Sequence, residues 1–378
     1  MINENRLVDL FLSLCKINAP ALEEKDCVAW TKEFLSQNGL EFVEDEAGKI
    51  IGGNANNIIV KLPGNLPNAP KIFLSAHFDT VEPTAGIVIE EIDGVFHATS
   101  DTILGADDKG GMAPAIEAVL SLRESGEDHG DVYLLLTVAE EIGLKGADAL
   151  KIEELNLDFG YVLDTGPPVG SHVTRTANHD KLDIIVKGIP AHAGKDPENG
   201  VNAIQVVADA VQGMKLGRID PETTANMGVI EGGSATNVVC AYVKINAEAR
   251  STNLETLDGQ IAHMKQRFIN AAEKWGAQVE FNHVRHYVSY NIDPESEVVK
   301  VAVEASKNLS LEPTLRTTLG GSDANIFNAK GVPTIVVATG MQKIHTHDEH
   351  ISRADLIKTA ELSLEILRVA AKGSLNSR

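Results

Sequence analysis

The chain has 378 residues, of which 43% are hydrophobic and 4% aromatic, and its formal net charge is −21. This length is long for one domain and short for three, so two domains are expected. The acidic surface would repel phosphate backbones and anionic lipid headgroups, so neither nucleic acid nor a membrane surface is expected as a partner.

The first half of the chain alternates predicted helices with buried strands. Helical patterns cover residues 4–14, 22–37 and 111–121. Apolar runs with the length of buried strands lie at residues 72–76, 132–138 and 161–163. Buried strands that are separated by helices imply a largely parallel sheet covered by helices on both faces.

The middle third of the chain has a different pattern. Its predicted elements are a strand at 182–186, a helix at about 202–214, an alternating strand at 238–249, a helix at 254–275 and a strand at 278–284. These indicate an antiparallel sheet with helices on one face, which is an α+β unit. We expect this unit, residues 179–290, to be inserted into an α/β domain formed by residues 1–178 and 291–378.

The part of the chain after residue 291 returns to the α/β pattern. A helix at 298–308 leads to the segment 314–317, and a helix at 323–329, a strand at 334–337 and a final helix at 354–371 follow. These elements would complete the first domain around the inserted one.

Cysteine usage and apolar runs indicate a cytoplasmic protein. The three cysteines, Cys15, Cys27 and Cys240, form no CxxC or zinc-finger spacing. A sparse, odd count argues against a disulfide framework and for a reducing compartment. The first apolar run, residues 10–14, is too short for a signal peptide, and no other segment approaches the ~18 apolar residues of a membrane span.

Acidic side chains and a histidine follow the ends of three predicted strands. His77 and Asp79 follow the first strand, Glu140 and Glu141 the second, and Asp164 the third. A fourth cluster, Asp107 and Asp108 in the glycine-rich run 104–111, comes just before a predicted helix. Because ligands bind at the carboxyl ends of the strands in open α/β sheets, these segments are expected to converge on one site.

The chemistry of these side chains indicates a metal centre. A histidine with several carboxylates and no thiolate suits Zn, Mn or Co. Carboxylates held together without a cation would repel one another, and two metal ions would relieve that repulsion. Paired ions can also clamp the attacking and leaving oxygens or generate hydroxide. A second imidazole is needed, and His345, His347 and His350 are the candidates.

Each cluster also has a purely structural interpretation. The His77-Phe78-Asp79 segment could be a hydrogen-bonded turn, Glu140-Glu141 could start a helix, and the three C-terminal histidines could lie on the surface. The glycine-rich run is not a phosphate loop, because it lacks G-x-x-x-x-G-K-[ST] and its aspartates would repel phosphate. The occurrence of one chemical type at successive strand ends favours the metal site.

Six segments in the same order resemble the co-catalytic zinc peptidase family of peptidase T, glutamate carboxypeptidase and the aminoacylases. They span nearly the whole chain, and the glycine-rich run looks most like the peptidase T branch. The segments are 75–80, 105–111, 137–143, 163–164, 188–194, and Gly320-Gly321-Ser322-Asp323 followed by His345-x-x-x-Glu349.

The resemblance implies a site for two divalent metal ions, with zinc as the first choice and cobalt or manganese as alternatives. Asp107 would bridge the two ions. His77 and Asp164 would complete one site, and Glu141 and His345 the other.

The resemblance also implies catalytic roles for two further carboxylates. Asp79 would orient the imidazole of His77, a contact that metal-bound histidines usually require. Glu140 would act as general base, taking a proton from the bridging water and handing it to the leaving amine.

The inserted segment resembles the family's ferredoxin-like lid domain, which commonly also forms a homodimer. His192 would stabilise the tetrahedral oxyanion, often from across the dimer. Arg250 would bind a substrate carboxylate, although an ordinary strand-end salt bridge is the alternative. Further candidates for the same pocket are Asn237, Gly320, Gly321 and Ser322.

The function that this resemblance implies is a metallo-aminopeptidase that cleaves short peptides, similar to peptidase T. A carboxypeptidase or an N-acyl-amino-acid amidohydrolase would use the same metal chemistry, and whether the pocket accepts a free α-amino group or an acyl cap distinguishes them. A non-catalytic metal-binding scaffold is the alternative from another class, but it would not require an intact Glu140.

Overall fold

A computed structural model describes residues 1–373, which fall into two compact units. The first unit comprises Met1–Thr174, Asn291–Thr317 and the chain from Ser322 onward. The second comprises Arg175–Tyr290 with the short segment Thr318–Gly321, so it is inserted between two parts of the first.

Both units contain helices and strands. The helices are α1 Glu4–Cys15, α2 Lys25–Gln37, α3 Ala47–Ile51, α4 Ala106–Ser125, α5 Lys145–Ala149, α6 Ala203–Val211, α7 Leu254–Trp275, α8 Glu297–Asn308, α9 Asp323–Ala329 and α10 Arg353–Gly373. The strands are β1 Phe42–Glu44, β2 Ile58–Leu62, β3 Ile72–His77, β4 Ile89–Ile92, β5 Val95–Ala98, β6 Val132–Thr137, β7 Phe159–Val162, β8 Ser171–Arg175, β9 Asn178–Lys187, β10 Gly217–Asp220, β11 Thr223–Gly232, β12 Tyr242–Ser251, β13 Gln278–Tyr287, β14 Thr314–Thr317, β15 Thr334–Val337 and β16 His350–Ser352. Of these, α6, α7 and β9 to β13 belong to the second unit.

The first unit is built on an eight-stranded sheet with the order β1-β2-β6-β3-β7-β15-β8-β14. Its central strands β6, β3, β7 and β15 are parallel, while β2 and β8 pair antiparallel on either side. Every residue of β3 and β6 is buried, as expected for strands with helices on both faces. A separate antiparallel sheet contains β16, β5 and β4.

The two faces of the central sheet contact different helices. Ile72 and Leu74 of β3 belong to a core that also contains side chains of α1, α4, α8 and α10. Phe73, which points to the opposite face, makes an edge-to-face contact with Phe327 of α9 at a centroid distance of 5.3 Å. The predicted α/β fold, with helices on both faces of a largely parallel sheet, is confirmed.

Several elements differ from the sequence-based expectation. Helix α4 extends from Ala106, whereas the sequence predicted a start at residue 111. Asp107 and Asp108 have non-helical backbone angles that kink its first turn, and this polar start carries no apolar periodicity that could have predicted it. The strands β1, β2, β4, β5, β8, β10, β11 and β16 were not predicted. Many are short or lie at an edge, and β4 is mostly exposed and contains two glutamates, so the periodic signal is weak.

The second unit is a five-stranded antiparallel sheet, β10-β11-β12-β9-β13, with α6 and α7. Its long strands and two helices follow one another as βαββαβ, and the sheet order β13-β9-β12-β11 is that of a ferredoxin-like fold. The alternating residues Leu182, Ile184 and Val186 form its own core with side chains such as Phe268. The predicted inserted α+β architecture is therefore confirmed.

The ends of the second unit lie side by side. The Thr176 N–H donates to the Tyr290 carbonyl at 3.1 Å, and in the first unit the Ile292 N–H donates to the Thr174 carbonyl at 2.8 Å.

Among the helices of residues 1–373, none combines the length and the apolar character that a membrane span requires.

Candidate active site

The carboxyl ends of three neighbouring strands supply most of the candidate residues. His77 ends β3, Glu140 and Glu141 follow β6, and Asp164 follows β7. Because β6, β3 and β7 are adjacent and parallel, these side chains meet at one edge of the sheet. Asp107 reaches the same edge from the start of α4.

The site contains groups of side chains that are close enough to share a metal ion. Ligand atoms of His77, Asp107 and Asp164 lie within 4.8 Å of one another, and so do those of Asp107, Glu141 and His345. Asp107 thus belongs to both groups. A third group within the same limit joins His77 to Glu141 and its neighbour Glu140.

The two carboxylate oxygens of Asp107 face two different imidazoles. Its Oδ1 lies 3.2 Å from His77 Nε2, and its Oδ2 lies 3.0 Å from His345 Nε2. The same His345 nitrogen lies 2.9 Å from Glu141 Oε1. A carboxylate in this position has one oxygen available to each of two cations, so the donor set fits a two-metal site.

The electrostatics of the cluster also fit bound cations. Burial raises the pKa of Asp164 well above its ordinary value, and the negative charge of Asp107 adds to this shift. Hydrogen bonds with Asp107 and Glu141 raise the pKa of His345 to about 10. Both shifts reflect the negative charge that is gathered in this cluster, and divalent cations would compensate that charge.

Asp79 connects His77 to the turn after β6. The Asp79 carbonyl accepts a hydrogen bond from His77 Nδ1 at 2.8 Å, which requires the proton to sit on Nδ1 and leaves Nε2 to face Asp107. The Asp79 carboxylate lies 3.5 Å from Nδ1 and instead accepts the N–H groups of Glu140 and Glu141 at 2.9 and 3.0 Å. Asp79 therefore positions both segments.

Two buried charged residues around the site had no predicted role. Glu349 accepts the N–H groups of Gly105 and Asp107 at 2.6 and 2.9 Å. Lys109 is buried, and its ammonium group donates to the carbonyl of Phe78. Both lie within motifs that resemble the family. The feature of the sequence that could have indicated their roles is their charge, because Lys and Glu are rarely buried unless they are paired.

The three C-terminal histidines have different surroundings. Only His345 is brought to the acidic cluster by the contacts within residues 1–373. His347 Nδ1 lies 3.2 Å from a carboxylate oxygen of Asp101. His350 belongs to β16, where its ring stacks on His97 at a centroid distance of 5.3 Å.

His192 and Asn237 lie on neighbouring segments of the second unit. The Ala193 N–H donates to the Asn237 carbonyl at 2.9 Å, and the residue after Asn237 forms a β-bridge with His192. The His192 side chain is exposed, and its Nδ1 accepts the Gly194 N–H at 3.1 Å. The structure therefore brings these two candidates together.

Arg250 lies on β12, where it takes part in an ion pair. Its Nε and Nη2 each lie 3.1 Å from an oxygen of Glu248, and its Nη1 donates to the Leu319 carbonyl at 3.2 Å. Glu248 also lies 3.1 Å from His179 Nε2. The strand-end salt bridge that was the alternative interpretation of Arg250 is thus present, and it fixes the guanidinium on the strand.

Close packing and backbone hydrogen bonds account for the residue types in the turn at residues 320–322. A Cβ atom at Gly321 would collide with the ring of Tyr287, so only glycine fits there. The Gly320 N–H donates to the Thr318 hydroxyl at 3.1 Å. Ser322 precedes α9, and its N–H donates to Asn325 Oδ1 at 3.3 Å.

Comparison with known proteins identifies the family. A sequence model of the peptidase family M20/M25/M40 matches residues 73–369. The chain belongs to this family. The predicted resemblance to peptidase T-like members is confirmed, and the chain is a hydrolase of the peptidase class.

Similar proteins support the same assignment. The crystal structure of aminopeptidase PepT from Bacillus cereus ATCC 10987 is 39% identical, covers 98% of this chain and 99% of that one, and has a TM-score of 0.88. A tripeptidase from Staphylococcus aureus subsp. aureus Mu50 is 37% identical over 98% and 100% of the two chains, with a TM-score of 0.93. Peptidase T from Geobacillus kaustophilus HTA426 is 26% identical over 350 residues, covering 82% and 84%.

Proposed function

We propose that this peptidase is a metal-dependent aminopeptidase that removes the first residue from short peptides, tripeptides among them. The observation that carries the proposal is the placement of the Asp107 oxygens against His77 and His345, beside the buried Glu140. The names of its similar structures, an aminopeptidase and a tripeptidase, support the substrate class.

The residues that would hold two metal ions are Asp107 as the shared ligand, with His77 and Asp164 on one side and Glu141 and His345 on the other. Their nitrogen and oxygen donors suit zinc, with cobalt or manganese as alternatives. Bound cations would polarise the scissile carbonyl and lower the pKa of a water molecule.

Glu140 would act as the general base. Burial raises the pKa of its carboxyl group well above the ordinary value, and the charges of Asp323 and Glu141 add to this shift. Nearby divalent cations would oppose this shift and favour the ionised carboxylate that a general base requires. Glu140 would take a proton from the attacking water and donate it to the leaving amine, with its backbone held by Asp79.

The second unit would provide the substrate contacts. We infer that residues 179–290 act as the lid and dimerisation domain of a homodimer, and that residues 1–178 and 291–378 form the catalytic domain. The exposure of His192 supports a role in stabilising the oxyanion, since the substrate must reach it. Arg250 would bind the substrate carboxylate, with Asn237 and the Gly320-Gly321-Ser322 turn as neighbouring contacts. A cytoplasmic location stays a prediction.

A hydrolysis assay tests the proposal. The protein is loaded with zinc or cobalt and offered a tripeptide with a free amino terminus, its N-acetylated counterpart and an N-acetyl amino acid. We expect cleavage of the free tripeptide alone, with release of its first residue. Preference for a capped substrate would replace the proposal with a carboxypeptidase or an N-acyl-amino-acid amidohydrolase, and cleavage of none of the three would contradict it.

A further inference from the structure

The turn that carries Glu140 and Glu141 is held by side chains from other segments. Four successive backbone N–H groups at the end of β6 each donate to a side-chain oxygen of a buried residue. The pairs are Val138 with Asn57 at 3.0 Å, Ala139 with Glu24 at 2.8 Å, Glu140 with Asp79 at 2.9 Å and Glu141 with Asp79 at 3.0 Å. Such a series leaves this backbone little freedom, because every donor has a fixed acceptor.

Glu24 reaches the turn from the N-terminal part of the chain. It directly precedes α2, and its side chain is completely buried. The Oε1 atom that accepts the Ala139 N–H also accepts the Leu22 N–H at 3.0 Å. Glu24 lies outside residues 73–369, the part that the family model matches, and it belongs to none of the motifs that resemble the family.

The residue that Glu24 contacts has an unusual backbone conformation. Ala139 has φ of +54°, in the left-handed region that costs free energy for any residue other than glycine. Ala139 is fully buried, so its N–H has no access to water if the Glu24 acceptor is lost. This strained residue directly precedes Glu140, so a change in its backbone angles would redirect the Glu140 side chain.

We propose that Glu24 is a positioning residue for the catalytic base. Its Oε1 stabilises the left-handed conformation of Ala139, and this conformation sets the direction of Glu140 and Glu141 at the end of β6. Glu24 acts as a hydrogen-bond acceptor, so the oxygen matters and the charge does not. The inference rests on the proposed function, because it assigns Glu24 a role through Glu140.

Two substitutions that keep the size of the Glu24 side chain distinguish the loss of its hydrogen-bond acceptor from the loss of its charge. Glu24→Gln keeps an oxygen in reach of both N–H groups, whereas Glu24→Met fills the same space without an acceptor. Leu35→Ala removes buried volume at the other end of α2 and serves as the control for lost stability. If Glu24→Met does not fold, Glu24→Asp takes its place, because it keeps the charge but shortens the side chain by one methylene.

The first readout is steady-state hydrolysis of the free tripeptide. We expect Glu24→Met to lower kcat by about 10- to 100-fold with little change in KM, since small misplacements of a catalytic group have effects of this size. Glu24→Gln and Leu35→Ala should keep kcat close to that of the wild type. Wild-type kcat in Glu24→Met, or an equal loss in Glu24→Gln or Leu35→Ala, would overturn the proposal.

The second readout does not depend on activity. Hydrogen–deuterium exchange of the metal-free protein reports the protection of the backbone N–H groups of residues 138–141. Exchange there should be faster in Glu24→Met and unchanged in Glu24→Gln, and unchanged exchange in Glu24→Met would overturn the proposal. If the wild-type protein cleaves no peptide, the proposed function fails, while the exchange data still decide whether Glu24 holds the turn.

Discussion

The carboxylate of Glu349 accepts the backbone N–H of Asp107 at 2.9 Å. Glu349 follows His345 by four residues, so this bond joins the two chain segments that carry ligands of one proposed metal ion. Its second oxygen accepts the Gly105 N–H at 2.6 Å, at the point where the chain enters α4. The position of Asp107 relative to His345 therefore depends on a side chain that is not itself in either group of candidate ligands.

Replacing Glu349 with alanine should weaken metal binding. Loss of a residue that orients ligands typically lowers metal affinity by about 10- to 100-fold. Glu349→Gln, which keeps one acceptor oxygen, should lose less. Competition with a chromophoric chelator measures both affinities, and wild-type affinity in Glu349→Ala would contradict the positioning role.

Replacing Glu140 with glutamine should remove the base and leave the metal centre intact. We expect kcat to fall by about 10²- to 10⁴-fold, the usual contribution of a general base. Metal content, measured by elemental analysis, should remain at the wild-type level. Glu154→Gln, an isosteric change on an exposed side chain, is the matched control. Retained activity in Glu140→Gln would show that another group takes the proton.

Removing the metal should abolish activity and lower the thermal stability. A ligand at 100 times its dissociation constant stabilises the folded state by about 2.7 kcal/mol, so readdition of zinc should raise Tm measurably. Asp107→Asn should show a much smaller rise, because it weakens the ligand that both ions share. Differential scanning calorimetry of the chelated and reloaded proteins measures the effect. An identical Tm with and without zinc would argue against a structural contribution of the site.

Replacing Arg250 with alanine should affect substrates according to their carboxyl terminus. A hydrogen bond to a charged group contributes about 1.5–3 kcal/mol, so KM for a tripeptide with a free carboxylate should rise by about 10- to 100-fold. KM for the same tripeptide with a C-terminal amide should change little. Arg218→Ala, on the exposed strand β10, is the control. An equal rise for both substrates would indicate that Arg250 supports the strand and not the substrate.

His172 should make the stability of the first unit depend on pH. It is buried on β8 beside Ser306, and burial lowers its pKa to about 4. The unfolded chain, with an ordinary histidine pKa of about 6.5, binds more protons between these values, so stability falls as the pH drops from about 6.5 to 4.

The variant His172→Asn should lose less stability than the wild type over this range. The difference between the two proteins is at most about 3 kcal/mol, which corresponds to the full shift of the histidine pKa. Urea unfolding at pH 7 and pH 4.5 measures it. If the free energy of unfolding depends on pH in the same way in both proteins, His172 does not take up a proton when the chain unfolds.

The sequence predicted the features that depend on local pattern. The buried runs at β3 and β6 were visible because nearly every residue there is apolar or small. The convergence of His77, Glu141 and Asp164 followed from the rule that parallel strands present their carboxyl ends at one edge. The order of the motifs led to the family that the comparisons confirmed.

Other features depend on contacts between distant segments. Glu24 looks like an ordinary polar residue before a helix, and only the fold shows that it meets Ala139, 115 positions away. The role of Glu349 likewise depends on the approach of α4 from 242 positions away. The strand β11 was not predicted, since its second half is exposed and gives no alternating pattern.

The paired ends of the inserted unit have a consequence for folding. Strand β7 precedes the insertion and β15 follows it, yet the two strands pair directly. Closing a flexible loop costs more entropy as the loop grows, by about 0.6 kcal/mol for each doubling of its length. Once Thr176 and Tyr290 are joined in a folded insertion, the residues between them no longer add to the length of the loop that the pairing of β7 with β15 must close. Early folding of the insertion would therefore accelerate completion of the central sheet.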